Sequence, residues 1–333
     1  VLLAALVGIP NNIHVTDYAL VPTIPVGPKR VEGITLAFLC ALAAGVGIAL
    51  FLNYMDDSIN TTTDIERMLH LPALASIPAV GILTRNRFRK LAPSTFLARR
   101  NEIGHSPESP LLLNLDSRPQ LAEAYRQLRT AVLMSTAGRA PKTLLITSSN
   151  QSEGKTTTAV NTAFVLAQTG AQVLIIDADL RKPSLHSIFG LPRGAGLSTI
   201  LSTEMNESEM LQMVRYHKES RLSILPAGPV PPNPAELLGS EQMRTLINVC
   251  QSHFTHIIID SPPVTMFTDG VLISSMVDGV LLVVNCGKSS REVVRLSCKV
   301  LSDVRAKIFG VVLNNTKVKM DHDLYSAGYD DES

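Results

Sequence analysis

Residues 142–158 read KTLLITSSNQSEGKTTT, a strand, a polar loop and the start of a helix in direct succession. TLLIT, at 143–147, is an apolar and β-prone run of strand length, the polar SSNQSEG that follows reads as a loop, and from Lys155 onward apolar residues recur at helical spacing. Ser149, four residues, then Gly154-Lys155-Thr156 fits the phosphate-binding loop pattern, with Ser149 in place of its first glycine. The physics of that pattern is a turn that aims successive backbone N–H groups at phosphate oxygens from the N-terminus of a helix. Ser152, Glu153, Gly154, Lys155, Thr156 and Thr157 are therefore the expected nucleotide contacts, with Lys155 on the β and γ phosphates and the Thr156 hydroxyl on Mg²⁺. A GKT tripeptide alone is common, so the strand before it and the helix after it carry the specificity.

Outward from the loop, short apolar runs alternate with longer amphipathic ones. Strands are predicted at 142–147, 172–177, 222–225, 256–260, 279–285 and 308–313, with helices at 155–169, 240–252, 269–276 and 290–304 between most of them. Continuous apolar strands alternating with helices predict an α/β fold, a mostly parallel sheet covered by helices on both faces. Two strands end in acids. VLIIDADLRKP puts Asp177 at a strand tip with Asp179 two residues on, and HIIIDSPP does the same with Asp260. Carboxyl ends of parallel strands are where ligand crevices lie, and an acid there is costly unless it meets a cation such as magnesium. Any one of them could equally be a turn former.

The chain of 333 residues is 45% hydrophobic and 18% charged, with a net charge of +1, which gives no case for nucleic acid as a partner. Residues 33–52, GITLAFLCALAAGVGIALFL, are twenty without a charge and predict a transmembrane helix, assigned to 31–53, rather than a buried core helix. VPTIPVGPKR leads into it, and residues 1–30 read as the end of an earlier region. Lys29 and Arg30 alone would place the N-terminal flank inside, whereas the nucleotide site requires the C-terminal side to face the cytosol; the second argument prevails. Residues 54–115 read as a linker with a capped helix at 62–69 and a basic stretch, Arg85 to Arg100, suited either to anionic lipid or to solvent. Cys40, Cys250, Cys286 and Cys298 show no metal or disulfide spacing and read as small buried apolar residues.

In these motifs the chain resembles the bacterial tyrosine kinases fused to polysaccharide co-polymerases, over essentially its whole length. SEGKTTT is similar to that family's Walker A motif, IIDADLRKP to its second acidic motif, and IIIDSPPV to its Walker B motif; GPVPPNPAELLGS, TDGVLIS and GVVLNN resemble further family segments. The resemblance implies a P-loop kinase domain at 116–318 that uses ATP and Mg²⁺. Catalytic roles fall on Lys155, Asp177, Asp179 and Asp260, with Asp177 the base for a tyrosine hydroxyl and Thr156, Asp179 and Asp260 organising magnesium. Glu123, Arg126 and Arg129 in EAYRQLR match the family's oligomerisation motif, although by themselves they would read as a solvated helix face. The tail at 319–333 offers Tyr325 and Tyr329 as acceptors, a sparse pair for such a family, and its polar composition predicts mobility. The implied partners are further copies in a ring, membrane lipid, the polysaccharide polymerisation and export machinery and a tyrosine phosphatase, at the bacterial inner membrane, with residues 1–30 the end of a periplasmic chain-length-determinant region and the kinase domain cytoplasmic.

The loop departs from the family pattern at one place, and two alternatives share its fold or its nucleotide. Family loops often read Pro-Gly where this chain has Gln151-Ser152, and a non-glycine at a positive φ costs about 1 kcal/mol. Partition-type and division-site ATPases share the fold but carry a lysine five residues before the P-loop lysine, where this chain has Asn150. A non-catalytic scaffold held together by ATP is the other alternative. Asn314, at the end of the last apolar strand, is the expected adenine contact or else a turn former.

Overall fold

The computed structural model describes residues 30–55, 57–79, 118–136, 138 and 140–316. The chain divides into two compact units, Val1–Asp56 and Asp57–Ser333. In the first, the described residues form one helix, α1 (Arg30–Met55), of 26 residues. At 1.5 Å per residue it is about 39 Å long, enough for a hydrocarbon core. Its apolar side chains are exposed, Phe38 at 65% and Leu50 at 65%, which fits a lipid-facing helix and not a core helix.

The second unit begins with α2 (Thr62–Leu69), which starts where predicted because Thr61 and Asp64 form a reciprocal capping box. Then come β1 (Ala73–Pro78), α3 (Pro119–Leu133), β2 (Thr143–Ser148), α4 (Lys155–Ala167) and β3 (Val173–Asp177). Three short helices, α5 (Leu185–Ile188), α6 (Leu197–Ser202) and α7 (Glu207–Gln212), lead to β4 (Arg215–His217) and β5 (Leu222–Leu225). The rest alternates: α8 (Pro234–Leu238), α9 (Glu241–His253), β6 (His256–Asp260), α10 (Asp269–Ser274), β7 (Gly279–Asn285), α11 (Arg291–Asp303) and β8 (Ile308–Thr316).

The eight strands form one sheet in the order β1-β8-β7-β2-β6-β3-β5-β4, parallel throughout except for the antiparallel β4–β5 pair. Its strands read as unbroken apolar runs because both faces are covered. Leu144, Ile146, Ile175 and Ile258 join Leu128 of α3 and Ala163 of α4 in one core. Their neighbours Leu145, Leu174, Ile257 and Ile259 point the other way and pack with Leu246 and Ile247 of α9. Each such fully buried aliphatic side chain contributes roughly 1.5–3 kcal/mol relative to exposure.

The reading of residues 54–115 as linker is corrected for 57–79. β1 pairs in parallel with β8 as an edge strand, and Ile59 and Ile65 are fully buried against Leu282, Val294 and Val311. The short ALASIP run lacks the length and turn punctuation of the central strands, so its pairing with a distant strand was not visible locally. Residues 80–117, with the basic stretch, lie outside the described residues, as do residues 1–29 and the tail. Of the cysteines, Cys250 is buried as expected, but Cys40 is exposed on α1 and Cys286 and Cys298 are half-buried.

Candidate functional site

The loop between β2 and α4 is shaped by two residues in the left-handed region, Ser152 at φ 62° and Gly154 at φ 93°. Serine at the first of these carries the expected strain of about 1 kcal/mol. Glycine is required at the second: a Cβ on Gly154 would come within 2.0 Å of the Asn314 Nδ2 atom. α4 then starts directly at Lys155, with Thr158 N bonded to Gly154 O at 2.9 Å, so the free N–H groups of its first turn border the loop.

On the outer side of the loop the charged groups converge. Lys155 Nζ lies 2.8 Å from Asp179 Oδ2 and 3.9 Å from Asp260 Oδ1, and Thr156 donates its hydroxyl to Asp260 Oδ2 at 2.6 Å. Sheet register causes this: β6 lies between β2 and β3, and Asp260 stands directly opposite Asp177. Burial alone would lower the Lys155 pKa, but Asp260 and Asp179 outweigh it and hold the ammonium above the ordinary lysine value. Burial pushes Asp260 up to about 6 against the opposing pull of Lys155 and the Thr156 hydroxyl. Asp177 is pushed up to about 7, first by burial and then by the neighbouring charge of Asp260.

The four catalytic candidates are thus brought together, but not equivalently. Asp179, Lys155 and Thr156 line an open cleft of about 230 Å³ with Ser152, Arg181 and Lys182. Asp177 is fully buried; its Oδ2 accepts from Ser184 N and Leu185 N, each at 3.0 Å, which fixes the turn into α5, and its Oδ1 has no hydrogen-bond partner. Asp179 Oδ1 accepts from Lys182 N at 3.0 Å. Asp260 Oδ1 also lacks a hydrogen bond. Such under-satisfied oxygens beside a hydroxyl make a hard, all-oxygen donor set of the kind Mg²⁺ takes. Among the described residues no three His, Cys, Asp or Glu side chains are placed to hold a metal by themselves, so phosphate oxygens would have to complete the shell.

Two expected nucleotide contacts face elsewhere. Glu153 is turned under the loop, 3% exposed, where its carboxylate accepts from Asn150 N at 2.8 Å and from the Ser289 hydroxyl. A carboxylate aimed at phosphates would repel them, and pointing inward it braces the turn. Burial raises its pKa, opposed by those hydrogen bonds. Asn314 is also under the loop, donating Nδ2 to Glu153 O at 2.9 Å while its Oδ1 accepts from Asn315 N at 2.9 Å, so its amide braces the loop backbone. Thr157 is half-buried and does not line the cleft.

Arg181 carried no role in the sequence reading, yet it is the most firmly held cation at the cleft. Its Nε and Nη2 reach the two oxygens of fully buried Asp269 at 2.9 and 3.0 Å, and it stacks over the Phe267 ring at 4.3 Å. The signal was present, since IIDADLRKP and TDGVLIS contain both partners; only their spatial pairing was missing. In the oligomerisation motif, Arg126 pairs with Glu123 of its own helix at 2.9 Å, and Arg129 donates to Val165 O of α4 at 3.0 Å. Arg129 is thereby tied to its own fold.

A loop that opens a helix at Lys155, beside acids from two adjacent parallel strands, is complementary to a nucleotide's phosphates and their metal. By fold and site the protein is a P-loop NTPase-type nucleotide-binding protein. Comparison narrows the class. Residues 142–315 match the family model described as an AAA domain. The chain is 35% identical over 222 residues to tyrosine-protein kinase YwqD of Bacillus subtilis (strain 168), covering 67% of this chain and 92% of that protein. It is 29% identical over 319 residues to tyrosine-protein kinase ptk of Acinetobacter johnsonii, covering 96% of this chain but only 40% of that longer relative. The solved kinase domain of the Escherichia coli tyrosine kinase ETK aligns at a TM-score of 0.62 with 28% identity, over 78% of this chain and 96% of that one. The chain belongs to the bacterial tyrosine-protein kinase family.

Proposed function

We propose that this chain transfers the γ-phosphate of ATP to Tyr325 and Tyr329 in the tail of a neighbouring copy. The observation that carries this reading is the cluster of Lys155, Thr156, Asp179 and Asp260 at the carboxyl ends of β2, β3 and β6, the first three lining one cleft and fully buried Asp260 standing directly behind Lys155 and Thr156. The phosphates would lie on the N–H groups of the loop and first turn of α4. Lys155, now paired with Asp179, would swing to the β and γ phosphates. Its charge is retained throughout, since the surrounding acids hold its pKa up. Thr156, Asp179 and Asp260 would hold magnesium, which when bound neutralises charge on the phosphates.

The acceptor hydroxyl, with an ordinary pKa of about 10, enters beside Asp179, the carboxylate that lines the cleft. Asp177, given the base role on sequence grounds, is better suited to orienting: it is sealed from the cleft and anchors the Ser184–Leu185 turn. Phosphoryl transfer rests mainly on positioning and charge neutralisation, so neither acid need be a strong base.

The surrounding biology follows as part of the same proposal. α1 crosses the bacterial inner membrane and leaves the second unit in the cytosol, where ATP is. Copies assemble as a ring through their own surfaces, including the Glu123–Arg126 face, and the phosphorylation state of the tail controls that assembly. Each phosphate adds nearly two negative charges to the tail, enough to loosen its hold on a neighbour. The consequence is control of capsule or exopolysaccharide polymerisation and export, with a tyrosine phosphatase as the reset.

The test is to incubate the protein with Mg-ATP and map phosphate by mass spectrometry, with Lys155→Met as control. Phosphate on Tyr325 or Tyr329 that disappears in the variant supports the proposal. ATP hydrolysis without phosphotyrosine would make the chain an ATPase instead.

A further inference from the structure

Next to the nucleotide cleft lies a second and larger one, of about 520 Å³, that the kinase chemistry leaves without a role. The two share Arg181 and Lys182 as a common wall. Beyond that wall the second cleft adds His186 and Arg193, and prolines such as Pro183 and Pro229 supply its apolar surface; no Asp or Glu lines it. Lys182 and Arg193 are exposed, and neither is in an ion pair with any described residue. Arg193 Nε donates to His186 Nε2 at 3.1 Å, which orients the guanidinium while its terminal amino groups bond no described residue. The floor is pre-formed: Leu197 N and Ser198 N donate to Pro226 O and Ala227 O at 2.8 Å, and the Ser198 hydroxyl donates to Pro229 O at 2.7 Å. A rigid, apolar-walled cleft with unneutralised cations is suited to an extended acidic peptide.

The chain carries such a peptide. Residues 320–333, MDHDLYSAGYDDES, contain five acids and no Lys or Arg; Asp330, Asp331 and Glu332 directly follow Tyr329, and Asp321 and Asp323 precede Tyr325. Extended chain advances about 3.3–3.6 Å per residue, so acids one to three positions from a tyrosine in the nucleotide cleft would fall within roughly 3–11 Å of it, across the shared wall.

We propose that the Arg193–His186 cleft docks the carboxylates flanking the tail tyrosines of a second copy, so that this kinase selects tyrosines embedded in acidic sequence. The proposal rests on the tail being the acceptor, and it adds what recognises it. Arg193 and His186 act in positioning; they touch the peptide beside the acceptor, not the transferred group.

The test uses the full chain with Tyr325→Phe and Tyr329→Phe as the binding partner and a fluorescent peptide of residues 319–333 as ligand, with nucleotide present. A second peptide carries Asp330→Asn, Asp331→Asn and Glu332→Gln. Anisotropy should show the native peptide binding at least tenfold more tightly than the neutralised one. Arg193→Glu in the protein should erase that difference, leave nucleotide affinity unchanged, and bind a peptide with Asp330→Lys and Asp331→Lys better than the native one. Equal weakening of both peptides by Arg193→Glu, no effect of it, or no peptide binding at all would overturn the docking proposal. Docking with the expected charge dependence but no phosphate on the tyrosine would retain this proposal and defeat tail phosphorylation; transfer indifferent to the flanking acids would do the reverse.

Discussion

The two sides of the phosphate loop are built on opposite principles. On the outer side, Lys155, Thr156, Asp179 and Asp260 crowd like and unlike charges together, with an Asp260 oxygen left without a hydrogen bond. Beneath the loop, Glu153, Ser289 and Asn314 close a set of mutual hydrogen bonds to the loop backbone. Function resides on the outer side. Groups held short of their preferred partners gain when a nucleotide and its metal arrive, whereas satisfied groups hold the shape that makes the gain possible.

The largest effect is expected on the outer side, at Lys155. Lys155→Met should reduce phosphate transfer by at least on the order of 10²–10³-fold, measured as phosphotyrosine per unit time, because it removes the only side-chain cation of the loop from the developing phosphate charge. Folding should survive, since the variant leaves the underside bonds untouched.

A smaller and more discriminating effect concerns the buried acids. Asp177 and Asp260 have folded-state pKa values near 7 and 6, above those of free carboxyls, so the folded protein holds more protons than the unfolded chain between the ordinary carboxylate range and neutrality. Their contribution to stability is complete at acid pH and is lost as pH rises through those values. Without nucleotide, the thermal midpoint should fall between pH 5 and pH 8, and Asp177→Asn should flatten that slope and raise the midpoint at pH 8. A midpoint rising over the same interval would contradict the placement of these charges.

The underside should respond differently. Ser289→Ala leaves Glu153 short of one donor and Asn285 N without its acceptor, at a cost of about 1–3 kcal/mol in stability. Nucleotide affinity should drop less than tenfold, as calorimetry would measure, because no group that meets phosphate is removed. The smallest effect expected is from Glu123→Ala: its pair with Arg126 is solvent-exposed and contributes about 0.3–0.5 kcal/mol within the chain, so any larger change, seen as loss of oligomer in light scattering, would come from a neighbouring copy.

Much of this was legible in the sequence, for reasons specific to each element. The central strands and the capped helix α2 announce themselves locally, through unbroken apolar runs and a Thr61–Asp64 box. Lys155, Thr156 and the strand-end acids were readable because their chemistry is tied to a contiguous motif. What was not readable depends on which way a side chain turns or on partners far along the chain. Glu153 and Asn314 sit at motif positions but face inward, and Arg181 meets Asp269 across 88 residues. The edge strand β1 likewise depends on pairing with β8, which no local pattern specifies.

If the outer side of the loop serves a tyrosine on another copy, phosphate must cross between chains. Mix Lys155→Met chains with intact tails and Tyr325→Phe, Tyr329→Phe chains with intact loops, add Mg-ATP, and assign phosphate to each by peptide mass. Phosphate should appear on Tyr325 or Tyr329 of the Lys155→Met chains only in the mixture. Its absence there, while the unaltered chain labels its own tail at a rate independent of concentration, would contradict transfer between copies.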